Sequence, residues 1–313
     1  MTEETQGRKV LGDVAARQLA NTTKTVVQTT IITPRWLPRL LSWVPVEAGT
    51  YRVNRAKPGD TADVAVCGQK TDQELPSTFV DYVEKPREYN LSSIKTVLGV
   101  HTRITDLYSS PHDQLKEQLR LVIEALKERQ EYELLNNGDY GLLKNVDASQ
   151  RIPTRSGPPT PDDLDELISR VWKEPGFFLT HPRAIAAIGR EATLRGVPPA
   201  TVTLFGSPFL TWRGIPIIPS DKIPLSGKVG AQKTSVLLLR TGEAKQGVVG
   251  LFQPGLQGEQ GPGLSVRFMG IDRTAIASYL VSLYCSAAVL TEDAIASLEN
   301  VDVDAYHEYV RAR

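Results

Sequence analysis

The chain has 313 residues, 41% apolar and 23% charged, enough to bury a substantial core in one large domain or two moderate ones. Its 36 basic residues balance 36 acidic ones, interleaved along the chain, which argues against a dedicated nucleic-acid binder with its basic excess. Two cysteines far apart, Cys67 and Cys285, argue against a disulfide framework and fit a reducing cytoplasm.

Residues 1–10 are polar and charged, without the apolar core of a signal peptide. A short amphipathic piece at 13–19 gives way to a β-branched run at 22–33. Residues 34–45 carry Pro34, Pro38 and Pro45, and each proline fixes φ and removes a donor, which disfavours a long helix. Trp36, Leu37, Leu40, Leu41 and Trp43 still need a covering surface, on their own domain or on a neighbouring subunit. Strand-like runs follow at 51–55 and 62–67 around the turn Lys57-Pro58-Gly59-Asp60, then a polar stretch at 69–74 and a further run at 78–83 before Pro86. With few large apolar residues, this region reads as a projecting arm that needs another surface to pair with.

Ser110-Pro111-His112-Asp113 predicts a helix start, with a cap, a first-turn proline and an acid. Leu115, Leu119, Val122, Ile123 and Leu126 then recur at helical spacing among Lys116, Glu117, Arg120, Glu124, Lys127 and Glu128. The helix is expected to run to about Leu135, before Asn136-Asn137-Gly138, with a solvated or polar outer face. After a loop at 147–161, Thr160-Pro161-Asp162-Asp163 opens a second helix carrying Leu164, Leu167, Ile168 and Val171 on one face. A buried strand is expected at 177–179, a third helix at 182–194 ending at Gly196, and strands at 201–205, 209–218, 235–240, 247–252 and 264–269. The uncharged run 275–290 is shorter than a membrane span and contains Ser278, Ser282 and Ser286, so it reads as a core segment. Helices and strands mix without βαβ alternation, which predicts an α+β fold.

Chemistry is hard to place on this chain. His101, His112, His181 and His307 share no metal-ligand spacing, and neither cysteine belongs to a CxxC pair. Residues 227–234 end in Lys-Thr but lack the preceding glycine of a P-loop and lead into a strand; residues 255–263 are likewise a loop. No GxSxG elbow occurs, and Asp162-Asp163 is explained by the helix dipole. No catalytic, cofactor-binding or metal residue is assigned. For an enzyme with a dispersed site, His101, Asp106 and Ser109 are the first candidates, although a strand-to-helix junction explains them structurally.

Several stretches, in order along nearly the whole chain, carry a family resemblance. They are Leu19-Ala20-Asn21-Thr22-Thr23-Lys24-Thr25, Thr33-Pro34-Arg35-Trp36-Leu37, Tyr51-Arg52-Val53-Asn54-Arg55 and Ser109-Ser110-Pro111-His112-Asp113. Phe177-Phe178-Leu179-Thr180-His181-Pro182, Gly189-Arg190-Glu191-Ala192, Gly206 with Trp212-Arg213-Gly214-Ile215-Pro216, residues 247–255 (GVVGLFQPG) and Leu264-Ser265-Val266-Arg267-Phe268 continue the series. With these the chain resembles the family 2A encapsulin shell proteins, especially the cyanobacterial sulfate-starvation-induced type, related to the mycobacterial major membrane protein I.

The resemblance implies the fold of tailed-phage major capsid proteins. It suggests an N-terminal arm over 1–50, an extended loop over 51–90 and a peripheral domain with a spine helix over 91–176. An axial domain would cover 177–270, and 271–313 would return to the peripheral domain and form the C-terminal tail. It places Arg195, Gly196, Val197 and Pro198, with Pro199, near a five-fold pore. Length and continuous motifs leave no room for the inserted cyclic-nucleotide-binding domain of some relatives. The implied role is a non-enzymatic subunit of an icosahedral shell of 60 copies in the cytoplasm, enclosing a cysteine desulfurase in sulfur metabolism. Pyridoxal phosphate would then belong to the cargo, and this chain would bind no cofactor, nucleic acid or membrane. The alternative is a phage-derived capsid protein that packages nucleic acid, whose inner surface would need a basic lining.

Overall fold

The computed structural model describes residues 33–57, 59, 61–64, 76–101 and 114–307. The expected pieces at 13–19, 69–74 and 110–113, and nearly all of 22–33, lie outside the described residues, as do Cys67, Asp106, Ser109 and His112.

The three prolines act as expected. Helix α1 is one short turn, Trp36–Leu40, entered through Arg35 in the left-handed region at φ 50°, and β1, Ser42–Pro45, follows at once. Trp36, Leu37 and Leu41 bury themselves in this chain's own core, against Leu134, Leu135, Phe177 and Phe209. Trp43 lies on Gly250, where an added Cβ would meet the indole at 2.7 Å, so only glycine permits this approach.

Two sheets organise the rest. The first has the order β1–β11–β14–β13–β12, with β4 (Ser92–His101) also on β14. Its other strands are β11 (Val248–Phe252), β12 (Glu259–Gly261), β13 (Leu264–Ile271) and β14 (Ile276–Val289). The uncharged run 275–290 is thus the central strand, and it needs no charge because both its edges and much of both its faces are covered. Val281, Leu283 and Cys285 point to one face, where helix α2, Gln114–Asn136, lays down Leu119, Val122, Ile123 and Leu126. On the other face the buried hydroxyls of Ser265 and Ser282 satisfy each other at 2.9 Å.

The second sheet has the order β5–β15–β10–β6–β9–β8–β7. Its strands are β5 (Arg151–Pro153), β6 (Phe177–Thr180), β7 (Ala200–Leu204), β8 (Ser207–Trp212), β9 (Ile215–Pro219), β10 (Lys233–Leu239) and β15 (Ile295–Asp302). Helix α3, Pro161–Arg170, starts on a reciprocal Thr160–Asp163 capping box, and α4, Pro182–Leu194, on His181. Both pack on one face, where Leu164, Leu167 and Ile188 meet Phe178, Val236 and Leu238. The alternate residues Phe177, Leu179, Leu237 and Leu239 turn to α1 and the end of α2. Burial on both faces explains why these strands read as unbroken apolar runs.

Three expectations change. The run 209–218 is two strands, reversed at Arg213-Gly214, both at positive φ (51° and 84°), a two-residue hairpin without the usual Asn-Gly signal. β15 went unrecognised, because Glu299 and Asn300 interrupt its apolar pattern. The arm closes by pairing β2, Thr50–Val53, with β3, Arg87–Asn90, rather than with residues 62–67, of which the described 62–64 form no strand. The sheets also do not follow contiguous stretches of chain: β11, β12 and β13 join β4 and β14, while β15 joins β6 and β10.

The chain therefore crosses from the second sheet to the first after β10 and returns after β14. Arg240, 1% exposed, ties the two crossings together. Its guanidinium donates to Asp293 Oδ1 at 2.8 Å and to Thr291 Oγ1 at 2.9 Å, and its backbone N–H to the Ala294 carbonyl at 2.8 Å. Burial works to raise the Asp293 carboxyl, but Arg240, Lys173 and Thr291 outweigh it and hold it well below the usual carboxylate range. Asp293→Ala is expected to cost about 3–5 kcal/mol by leaving a buried guanidinium unpaired, measured by denaturant unfolding. The depressed Asp293 contributes stability that is present above its ordinary value and lost as pH falls, so the deficit of the variant should shrink in acid.

Candidate functional site

Of His101, Asp106 and Ser109, first weighed for catalysis, only His101 lies among the described residues. His101 closes β4, with its Nδ1 buried and unpartnered among them. His181 caps α4, its Nδ1 accepting the Arg183 N–H at 3.1 Å, and burial pushes its imidazole below the usual value. His307 instead contacts Glu191 at 2.5 Å. No group of three or more His, Cys, Asp or Glu is arranged to hold a metal ion among the described residues. Cys285 is buried where β4 and β11 meet on β14, and burial pushes its thiol up to about 12, far from a reactive thiolate. Residues 227–234 close a loop by mutual Ser226 and Lys233 backbone bonds at 2.8 Å, and residues 255–263 lead into β13. Neither presents a helix N-terminus to a phosphate.

The loop carrying Arg195, Gly196, Val197 and Pro198 leaves α4 by a defined stop. The Gly196 N–H bonds Thr193 O at 3.0 Å and the Val197 N–H bonds Ala192 O at 3.0 Å, a Schellman pair that requires Gly196 at its φ of 72°. Gly196, Val197 and Pro198 are exposed. Arg195 reaches back to Glu191, whose carboxyl burial would raise, but Arg195 and His307 outweigh that and hold it below its usual range. The segment 303–307 lies along the same helix: Arg190 donates to Val303 O at 2.8 Å and covers the Tyr306 ring at 4.5 Å, and Arg183 pairs with Asp304. The loop and the C-terminal segment thus share Glu191 as a common partner.

A second constellation escaped the reading of the sequence. Glu128, expected on the charged outer face of α2, is 5% exposed, and Glu131 is 1% exposed. Spaced at i, i+4 and i+7, Glu124, Glu128 and Glu131 grip the chain entering α1. Arg35 pairs with Glu124 at 2.5 Å, the Thr33 N–H donates to Glu128 at 2.9 Å, and the Leu37 N–H donates to Glu131 at 3.3 Å. Lys222 pairs with Glu128 at 2.9 Å from the loop after β9. Burial pushes the Glu131 carboxyl up to about 7, only partly offset by the Leu37 N–H and Lys222. The spacing of the three acids on one helix face was the available signal.

The arm is the other outward feature. Its base is fixed: the Tyr89 hydroxyl donates to Val289 O at 2.6 Å, Arg55 to Glu292 at 2.7 Å, and Tyr51 to Glu243 at 2.8 Å. Beyond that base, Val64 and Phe79 are each 83% exposed, and Tyr82 is exposed too. Large apolar side chains on a projecting hairpin mark a contact surface rather than a core.

Comparison with known proteins gives the same picture. Residues 50–305 match the family model described as type 2A encapsulin shell protein SrpI-like. The chain is 68% identical over 299 residues to the type 2A encapsulin shell protein SrpI of Synechococcus elongatus, covering 96% of each. It is similar to the cryoEM structure of the holo-SrpI encapsulin complex from Synechococcus elongatus PCC 7942, with a TM-score of 0.83, 65% identity, and 96% and 99% of the two chains covered. The capsid of the native GTA particle matches with a TM-score of 0.58 at 14% identity, over 90% of this chain and 93% of that one, a likeness of fold alone. The α+β architecture is thus a capsid-like one.

Two outcomes are expected. In native protein at about pH 8, Cys285 should resist alkylation and become labelled only on unfolding, as read by peptide mass spectrometry. Glu131, raised above its ordinary 4.5, contributes most below that value and loses its contribution as pH rises to about 7. Glu131→Gln should therefore flatten the pH dependence of stability over that range and be more stable than the parent in alkali, by on the order of 3 kcal/mol, measured by denaturant unfolding across pH.

Proposed function

This chain belongs to the SrpI-like family of type 2A encapsulin shell proteins, and we propose that 60 copies close into an icosahedral shell around a cysteine desulfurase. Membership makes it a structural, capsid-like subunit of an encapsulin nanocompartment and not an enzyme. The observation that carries the fuller reading is the arm: Val64, Phe79 and Tyr82 stand off the core on a hairpin whose base is rigidly tied down. A chain that fixes the root of such an arm and leaves its apolar tip bare is built to meet another copy.

In the proposed assembly the loop of Arg195, Gly196, Val197 and Pro198 lines an opening at the five-fold axes, where Gly196 and the Glu191 pair hold its shape. The compartment lies in the cytoplasm and serves sulfur metabolism. Pyridoxal phosphate is carried by the enclosed enzyme, and the shell chain itself supplies contact, closure and passage. The cargo reading is supported by the family resemblance of the chain.

Electron microscopy and size-exclusion chromatography of the purified chain test the shell: uniform hollow particles are expected, and a stable monomer or dimer would refute it. Particles purified from the native source should carry a desulfurase and the visible absorbance of pyridoxal phosphate. Nucleic acid inside them, read from the ratio of ultraviolet absorbances, would instead favour the packaging reading.

A further inference from the structure

A pocket of about 350 Å³ opens where α1, β1, α2 and β11 come together. Small-molecule sites have volumes of about 300–1,000 Å³, with largely apolar walls and a few placed polar groups. Here Trp43 from β1 and Phe252 from β11 supply aromatic wall, and Arg35, Arg39, Lys127 and Gln130 supply the polar groups. None of the described residues that line it is acidic.

The aromatic walls are fixed before anything enters. The Trp43 indole rests on Gly250, and its N–H donates to the Pro38 carbonyl at 2.8 Å. Phe252 is held opposite Pro45 by the parallel pairing of β1 with β11. Both rings stay half-buried, so each keeps some surface uncovered. Rings fixed in this way lose little freedom when a flat ligand lies on them, and stacking comes at low entropic cost.

The cations, in contrast, outnumber their partners. Arg35 is committed to Glu124 at 2.5 Å. Lys127 reaches the same Glu124 only at 3.9 Å. Arg39 is exposed, lies 5.3 Å from the Trp36 ring and has no carboxylate within ion-pair distance among the described residues. Glu128, the next acid along α2, is taken by Lys222 at 2.9 Å. Three cations therefore share one carboxylate beside the pocket, and Arg39 and Lys127 are the two least engaged.

We propose that this pocket binds a small organic anion, an aromatic carboxylate of one or two rings, with the ring against Trp43 and Phe252 and the carboxylate on Arg39 and Lys127. The guanidinium meets a carboxylate with two parallel donors, and the ammonium adds a point charge. The inference does not rest on the shell reading, since every group named belongs to one chain.

Isothermal titration calorimetry of the purified full chain, in the assembly state in which it is isolated, tests this with 2-naphthoate as the probe. One saturable site per chain is expected. Arg39→Gln combined with Lys127→Gln should weaken binding at least about tenfold, because both charge-assisted contacts are lost. On the unaltered chain, binding should weaken several-fold between about 20 mM and about 500 mM salt, because these cations are accessible to screening ions. The neutral analogue 2-naphthalenemethanol and inorganic phosphate should each bind at least about tenfold more weakly, lacking the charge and the ring respectively. Absence of saturable binding would overturn the inference, as would binding that neither the substitutions nor salt weakens. Equal binding of the neutral analogue would show a purely apolar slot, and equal binding of phosphate a site for any anion; either overturns it. The salt and analogue series need no variant, so they decide the matter even where the double substitution perturbs folding.

Discussion

Everything outward on this molecule depends on how two sheets are joined, and the joint is the buried Arg240–Asp293 pair. The guanidinium sits where the chain leaves β10 and the carboxylate where it returns from β14, so one ion pair fixes both crossings. Such a pair adds little net stability over an apolar replacement, yet half of it cannot be removed without leaving a buried charge. Its geometric effect is larger. Thr291, held by Arg240 at one end, bonds Gln246 O at 2.9 Å at the other, and the adjoining Leu290 and Glu292 receive Arg55 from the base of the arm. The direction of the arm is therefore referred to the same joint that relates the sheets.

A comparable logic governs the entry to α1. The Thr33 and Leu37 N–H groups have no preceding turn of helix to pair with, and the acids of α2 receive them together with the Arg35 guanidinium. The arrangement concentrates acidic groups in a nearly dry place, and Lys222 is the close cation from the opposite loop. Burial, more than the neighbouring acids, raises the Glu131 carboxyl and favours its protonated form. The site couples an incoming segment to the long helix through polar contacts, and its strength depends on protonation.

These joints fit a subunit whose activity is contact. An enzyme concentrates perturbed groups in a cleft. Here perturbed groups sit at junctions: Asp293 between sheets, Glu131 beneath the chain entering α1, Glu191 between the loop after α4 and the C-terminal segment. Each holds two segments distant in sequence. A shell subunit needs that, because the angle of every exposed element is multiplied through each copy of a closed assembly.

The amino-acid sequence by itself determined the local elements with strong chemistry of their own. Thr160 with Asp163 capped α3, Pro182 after His181 opened α4, Gly196 ended it, and the apolar stripe from Leu119 to Leu126 made α2. It also showed that the chain lacks a spacing for metal or nucleophile chemistry, and the motifs carried the family. Only the tertiary structure decided which strand meets which. Strands 248–252 and 295–302 join different sheets because the Arg240–Asp293 joint sends the chain across and back. It alone turned Glu128 from an expected surface charge into a buried anchor, with Glu131 buried beside it, and set β2 against β3 across a gap of more than thirty residues. Caps and periodicity are short-range and written in adjacent residues. Strand partners, buried charges and open edges depend on contacts between residues far apart in the chain, which no local pattern encodes.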